Sequence, residues 1–203
     1  MSAQAKNVES NRQKGGRRRS ELLKTACEHF YDRGYATASM RDIANEMGVT
    51  QAALYYHFVN KEEILFALIE DFNERLSALL ESKLDSEGDK VEGLRSAIRA
   101  HILLGRSDFR EFKLVTEDKQ QLGPVHAEEV RQRERQIFDL YRDCIEGLVV
   151  DRKIKNRDPS VCTFNILGII NFVFKWYRPN GPMSLDEIAD QTVDFALSGL
   201  LRT

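Results

Sequence analysis

Apolar residues recur at three- and four-residue spacing along nearly all of this 203-residue chain, and no stretch alternates apolar with polar as a half-buried strand does. Stripes of that period can be buried only by packing helix on helix, so the pattern predicts an all-α protein. A first helix is expected over 18–33, with Leu22, Leu23, Ala26, Cys27, Phe30 and Tyr31 on one face and Gly34 at its end. A short second helix runs from Ser39 to Met47, where Ser39 and Asp42 make a capping-box-like pair and Ile43, Ala44 and Met47 face inward. Gly48 supplies the left-handed backbone of a tight turn into a third helix, Thr50 to His57, with Leu54 and Phe58 one turn apart. Asn60, with Glu63 three residues on, caps a long fourth helix whose stripe of Leu65, Leu68, Phe72, Leu76 and Leu79 runs to the polar stretch Asp85 to Lys90. Five further helices are expected at about 90–105, 108–119, 124–150, 159–178 and 184–202, separated by Gly-Pro, Asp-Pro and Pro-Asn-Gly-Pro breaks. The total is about nine helices, the last opened by a Ser184–Glu187 capping box.

Charge divides the chain where the pattern suggests a small head and a larger body. The net charge of −2 is the sum of a head and arm (residues 1–61) with ten Lys/Arg against six Asp/Glu, and a remainder with 20 against 26. A basic N-terminal third on an acidic body points to a polyanion-binding module joined to something else. Three cysteines, Cys27, Cys144 and Cys162, form neither a CxxC pair nor an even set, which argues against a disulfide framework and suggests a reducing, cytoplasmic setting. No signal-peptide pattern is visible at the N-terminus. The uncharged run Pro159 to Phe174 falls short of a membrane span and reads as a buried helix, so no membrane partner is expected.

Residues 39–58, SMRDIANEMGVTQAALYYHF, read as a helix-turn-helix. The third helix presents Thr50, Gln51, Ala52, Ala53, Tyr55, Tyr56 and His57, small or hydrogen-bonding groups with no carboxylate to repel phosphate. Such a face suits a helix lying in the major groove of double-stranded DNA. Ala52 and Ala53 allow close approach and contact with thymine methyls, while Gln51 can pair with adenine edges. Arg17, Arg18 and Arg19, just before the first helix, could form an arm reaching an adjacent groove; the alternative is a solvated tail.

The segment 19–65 resembles the DNA-binding domain of TetR-type transcriptional repressors. The matching residues are Phe30-Tyr31-Asp32-Arg33-Gly34-Tyr35, Thr37, Met40-Arg41-Asp42-Ile43-Ala44, Gly48-Val49 and Leu54-Tyr55-Tyr56-His57-Phe58-Val59-Asn60-Lys61. The resemblance implies a basic arm (1–17), a helix-turn-helix domain (18–63) and an effector-binding and dimerisation body (64–203). It further implies a homodimer whose third helices enter successive major grooves of a near-palindromic operator. Carried over, Thr50, Tyr55, Tyr56, His57, Lys61 and Ser39 would hold phosphates or flank the groove, and Arg41 would reach backbone or a base edge.

In the body, Phe109, Phe112, Phe138, Tyr141, Phe164, Phe172, Phe174 and Trp176 could line an effector cavity or simply pack a core. Asn165 and Asn171, on an apolar helix, and Lys175 beside Trp176 suggest a pocket or a subunit interface. His101 and His126 lack companions at metal-ligand spacing and read as structural or exposed, so neither metal nor cofactor is expected. The stretch from Lys175-Trp176-Tyr177-Arg178-Pro179 to Ile188 resembles a TetR subgroup that represses fatty-acid, sterol or aromatic-acid catabolism and responds to acyl-CoA thioesters. This implies that Lys175 or Arg178 meets CoA phosphates. Val193, Ala196, Leu197 and Leu200, beside Gly199, suggest that the last two helices form an intersubunit four-helix bundle.

The resulting expectation is a ligand-responsive dimeric repressor that is not an enzyme, since P-loop, GxGxxG, HExxH and GxSxG patterns are all lacking. A drug-sensing regulator of efflux genes, a DNA-binding protein without an effector, and an all-α enzyme are the alternatives.

Overall fold

The computed structural model describes residues 19–85, 88–106, 109–154 and 157–201, without the side chain of Phe109. Arg17 and Arg18 lie outside the described residues, as does most of the basic arm. The described residues form nine α-helices: α1 (19–33), α2 (Met40–Glu46), α3 (Gln51–His57), α4 (Lys61–Leu84), α5 (Lys90–Leu104), α6 (Phe109–Glu117), α7 (Pro124–Val150), α8 (Pro159–Trp176) and α9 (Leu185–Leu200). A 3-10 turn, Asp118–Gln121, follows α6, and one isolated antiparallel bridge joins Ile154 to Leu201. The protein is all-α.

Local chemistry explains most helix starts. Ser39, Thr50, Asn60, Asp89, Asp158 and Ser184 each accept a backbone N–H in the first turn of the helix they open. Each cap satisfies one of the donors that a helix N-terminus leaves unpaired. The Ser184–Glu187 box is complete in both directions. At Ser39 the hydroxyl accepts from the Asp42 N–H and donates to the Asp42 carboxylate, so the pair is side chain to side chain rather than a full box. Gly48 has φ +64°, which a β-carbon would strain, and it turns the chain between α2 and α3.

Leu22, Leu23, Ala26, Cys27 and Phe30 of α1, Ile43 and Ala44 of α2, and Leu54 and Phe58 at α3 form the core of the head. Ile64 and Leu65 of α4 join that core, and further along the same helix Leu68, Phe72, Leu76 and Leu80 enter the body. In the body α4 packs on α5 and α7, α8 on α7, and α9 on α5. An ionic ladder fastens the α5–α9 contact, with Arg95 bonded to Asp194 at 2.7 Å and Arg99 to Asp190 at 2.6 Å and Asp186 at 3.1 Å.

Two expectations about the C-terminal helices need correction. Helix α8 is not buried all round: Cys162, Thr163, Ile166, Ile170, Val173 and Phe174 face inward, whereas Val161, Phe164, Asn165, Gly168 and Phe172 face solvent. Val193, Leu197 and Leu200 of α9 pack into this chain's own core. The apolar surface left open on α8 and α9 is a different one: Val161, Phe164, Phe172, Trp176 and Phe195, with Phe195 70% exposed. Among the described residues no helix is long and apolar enough to cross a membrane.

Candidate nucleic-acid interface and effector cavity

Helix α3 is held by a single turn of core. Leu54 inside the helix and Phe58 at its C-cap are buried, which turns Gln51, Ala52, Tyr55 and Tyr56 outward. Tyr56 is 85% exposed and touches the His57 ring edge-on at 5.2 Å. Ala53 and His57 are half-buried, and the Thr50 hydroxyl accepts the Ala53 N–H at 3.1 Å. Helix α3 carries no carboxylate, and Arg41 stands exposed at the start of α2. The surface is therefore rich in donors and small groups, as backbone and base-edge contacts require.

Lys61 is placed differently from the rest. Its Nζ donates to the carbonyls of Tyr35 (2.9 Å), Ala36 (3.0 Å) and Ala38 (3.1 Å) and lies 4.7 Å from the centre of the Tyr35 ring. Three carbonyls use all three ammonium donors, so Lys61 braces the α1–α2 loop against α4. Burial pushes the Tyr35 phenol beneath it up to about 12, with Glu62 and Asp118 adding in the same direction.

Two contacts tie the head to the body. Glu62 Oε1 accepts the Gly123 N–H at 2.9 Å and lies 2.8 Å from His126 Nδ1, and Phe66 stacks on the His126 ring at 4.3 Å. These bonds hold the Glu62 carboxyl below its ordinary range. On the other side, Arg110 and Lys113 of α6 lie over the Tyr31 ring at 5.8 and 5.2 Å, and Arg110 is 3.7 Å from Glu28. Tyr31, expected in the head's stripe, is instead the point where α1 meets α6.

Helices α4 to α8 line a cavity of about 940 Å³ that is open to solvent on one side, near the upper end of the range usual for ligand pockets. Phe72, Leu76, Phe112, Val115, Ile137, Phe138 and Leu167 supply its apolar wall, and Asn73 and His101 add two buried polar groups. Behind the wall, Phe174 stacks on Phe112 at 3.6 Å. Gly105 permits this packing, because a β-carbon there would stand 2.4 Å from the Phe174 ring. Lys119, Arg131, Arg135 and Lys175 gather at the more exposed end, against Glu128 and Glu134. Lys119 pairs with Glu134 at 2.5 Å, Arg131 with Glu128 at 2.5 Å, and Lys175 with Glu117 at 2.9 Å. No ion pair to Arg135 is found among the described residues.

Of the residues expected to bind an effector, Phe112, Phe138, Phe164, Asn171 and Lys175 meet at this cavity. Tyr141 does not line it. Its ring is fully buried behind His101, with the hydroxyl 3.2 Å from His101 Nδ1 and 3.3 Å from the Ala97 carbonyl. Trp176 lies on the open α8 face, and Arg178 is exposed, donating to the Tyr177 carbonyl at 3.2 Å. The side chain of Phe109 is outside the described residues. Asn171 lines the cavity from the exposed side of α8, whereas Asn165 is exposed and does not line it.

Sequence reasoning missed Asn73, Arg131 and Arg135. The signal was present: Arg131, Arg135 and Phe138 fall at i, i+4 and i+7 on one face of α7, and Asn73 interrupts the apolar stripe of α4.

A three-helix head with an exposed reading helix, borne on a cavity-containing helical body, defines a helix-turn-helix DNA-binding transcription regulator. Residues 22–68 match the family model of bacterial regulatory proteins of the tetR family, and residues 87–200 match the tetracyclin repressor-like C-terminal domain. The chain belongs to the TetR family.

It is 24% identical over 188 residues to the HTH-type transcriptional repressor KstR2 of Mycolicibacterium smegmatis, covering 92% of each chain. It is 28% identical over 195 residues to the HTH-type transcriptional activator FasR of the same organism, covering 96% of this chain and 88% of that one. A solved structure of AibR in complex with isovaleryl coenzyme A and operator DNA is similar at a TM-score of 0.80 and 29% identity. The match covers 88% of this chain and 97% of that one.

Proposed function

We propose that this protein is a dimeric repressor that reads a two-fold symmetric operator through α3 and is released by an acyl-CoA thioester. The observation that carries the effector class is the polarity of the cavity. Its wall is aromatic and aliphatic, and its exposed end carries four cationic side chains, of which Lys119, Arg131 and Lys175 are paired with Glu134, Glu128 and Glu117 while Arg135 has no ion pair among the described residues. An acyl chain fits the first, and the phosphates of CoA fit the second. The likeness to AibR, solved with isovaleryl coenzyme A and operator DNA, supports the same reading.

Operator contact falls to Gln51, Ala52 and Ala53 for base edges and to Ser39, Arg41, Thr50, Tyr55, Tyr56 and His57 for the flanks, with Arg17 and Arg18 as an arm. Lys61 acts by bracing the loop. The dimer forms through the open apolar face of α8 and α9, where Phe172, Trp176 and Phe195 would otherwise remain in water. Release is a population shift. A ligand that binds the DNA-incompatible spacing tenfold better costs the operator complex about 1.4 kcal/mol.

A thermal-shift screen of acyl-CoAs, their free acids and cationic drugs, followed by operator release with each hit, tests the effector class. Stabilisation and release by CoA thioesters but not by free acids is the expected result. Response to cationic drugs alone would replace this reading with that of a drug-sensing efflux regulator.

A further inference from the structure

Two carboxylates stand among the cations at the exposed end of the cavity, in the place where an anionic ligand would be read. Arg131 donates to Glu128 Oε2 from Nε at 3.0 Å and from Nη2 at 2.5 Å, one turn apart on α7. Lys119 Nζ, from the 3-10 turn, donates across to Glu134 Oε1 of α7 at 2.5 Å. All four of these side chains line the cavity. Arg135, one turn beyond Arg131, lines it too, is exposed, and has no ion pair among the described residues. Lys175 is held by Glu117, a carboxylate that does not line the cavity.

Both pairs are open to water. Side-chain exposure is 64% and 54% for Arg131 and Glu128, and 41% and 37% for Lys119 and Glu134. Such pairs contribute little to stability, because water screens the attraction and two long side chains must be held still. A phosphate is the stronger partner: it carries more charge than a carboxylate and accepts from a guanidinium through two oxygens at once. Arg131 and Arg135 stand at i and i+4 on one helix, with β-carbons about 6 Å apart, so both guanidiniums can reach one phosphoryl group. A ligand with a single carboxylate meets Arg135 alone. One with several phosphates has charge left to take Arg131 and Lys119 from their glutamates.

We infer that Glu128 and Glu134 are exchangeable counter-ions that set the anion selectivity of this cavity. Ligand phosphate displaces them from Arg131 and Lys119, and Arg135 is the anchor that needs no exchange. The inference rests on the acyl-CoA reading of the cavity and adds that two residues lining it oppose the ligand. Removing either glutamate therefore strengthens binding, the opposite of what loss of a contact residue does.

The test is isothermal titration of the full-length protein with decanoyl-CoA and with the decanoyl thioester of N-acetylcysteamine, which has the same acyl group and no phosphate. Glu128→Gln and Glu134→Gln are each expected to tighten decanoyl-CoA binding about threefold, and the double variant about tenfold. Arg135→Gln is expected to weaken it about tenfold. The uncharged thioester should bind all of these variants within about twofold of the wild type, since it meets neither cation nor carboxylate. The gain from Glu128→Gln should vanish in an Arg131→Gln background. Glu129→Gln makes the same change of charge next to Glu128 but outside the cavity, and should alter nothing. The inference is overturned if the double variant binds decanoyl-CoA no tighter than the wild type, if Glu129→Gln tightens it equally, or if the gain persists without Arg131. Binding of decanoyl-CoA to the double variant alone removes CoA thioesters as effectors of the wild-type protein and leaves the counter-ions standing. Binding to neither removes both.

Discussion

Glu62, in the first turn of α4, bonds across 2.8 Å to His126 in the first turn of α7 and, through the same oxygen, to the Gly123 N–H at 2.9 Å. Helix α4 starts in the head and α7 lines the cavity, so one carboxylate joins the two regions. On the opposite flank α6 does the same, with Phe112, Val115 and Thr116 at the cavity and Arg110 and Lys113 at Tyr31 of α1. On the proposed reading, a ligand that moves α6 or α7 would act on the reading head through these contacts.

Removing the Glu62 clasp should weaken coupling more than either binding event. Glu62→Ala strands the Gly123 N–H and is expected to cost about 1–2 kcal/mol, a few degrees in Tm. The ratio of operator affinities with and without effector should shrink toward one while α3 contacts stay intact. The clasp should also fail in acid. The folded Glu62 carboxyl titrates below its ordinary value of 4.5, so its stabilisation is present above that pH and lost as pH falls through the lower, folded value. A wild-type acid limb identical to that of Glu62→Gln in urea titrations would count against this.

The reading face should separate into two kinds of residue. Arg41→Ala is expected to weaken all operators alike and to lower the salt slope of binding by about one per protomer. Gln51→Ala should leave the slope unchanged and relax preference at one base pair, by about 1–3 kcal/mol. Deleting residues 1–19 should weaken operator binding and flatten its salt dependence if the arm reaches an adjacent groove. Electrophoretic or fluorescence titrations at several salt concentrations distinguish these outcomes.

Phe195→Glu should give a folded monomer. The residue is 70% exposed in the single chain, so helix content is expected to stay at the wild-type level. Two copies of the charge would face one another across a two-fold interface. Sedimentation velocity reads the result, and a Phe195→Glu dimer of unchanged stability would place the interface elsewhere.

His101 should impose a pH dependence of its own. Its folded pKa of about 4 lies below the ordinary 6.5 because burial disfavours the charged ring. Between these values the unfolded chain binds more protons, so stability should fall as pH drops from about 6.5 to about 4, by on the order of 3 kcal/mol. Urea unfolding across that window should lose this slope in His101→Gln.

Much of this protein is written locally. Ser39–Asp42, Asn60–Glu63 and Ser184–Glu187 bond across three residues, so their helix starts are legible without any tertiary knowledge. The head is legible for a related reason: its apolar spacing turns α3's polar face outward whatever the body does. What the sequence could not decide is which neighbour covers a helix that is apolar on two sides. Helix α9 has Val193, Leu197 and Leu200 on one side and Phe195 on another, and only packing against α5 and the rest of the body puts the first set inside. Tertiary structure also decided the fate of Lys61, whose ammonium meets carbonyls 23 to 26 residues earlier in the chain. The cavity belongs to the same category. Asn73, His101, Arg135 and Lys175 come from four helices, and hydrophobic periodicity within one helix carries no information about which polar groups will meet between them.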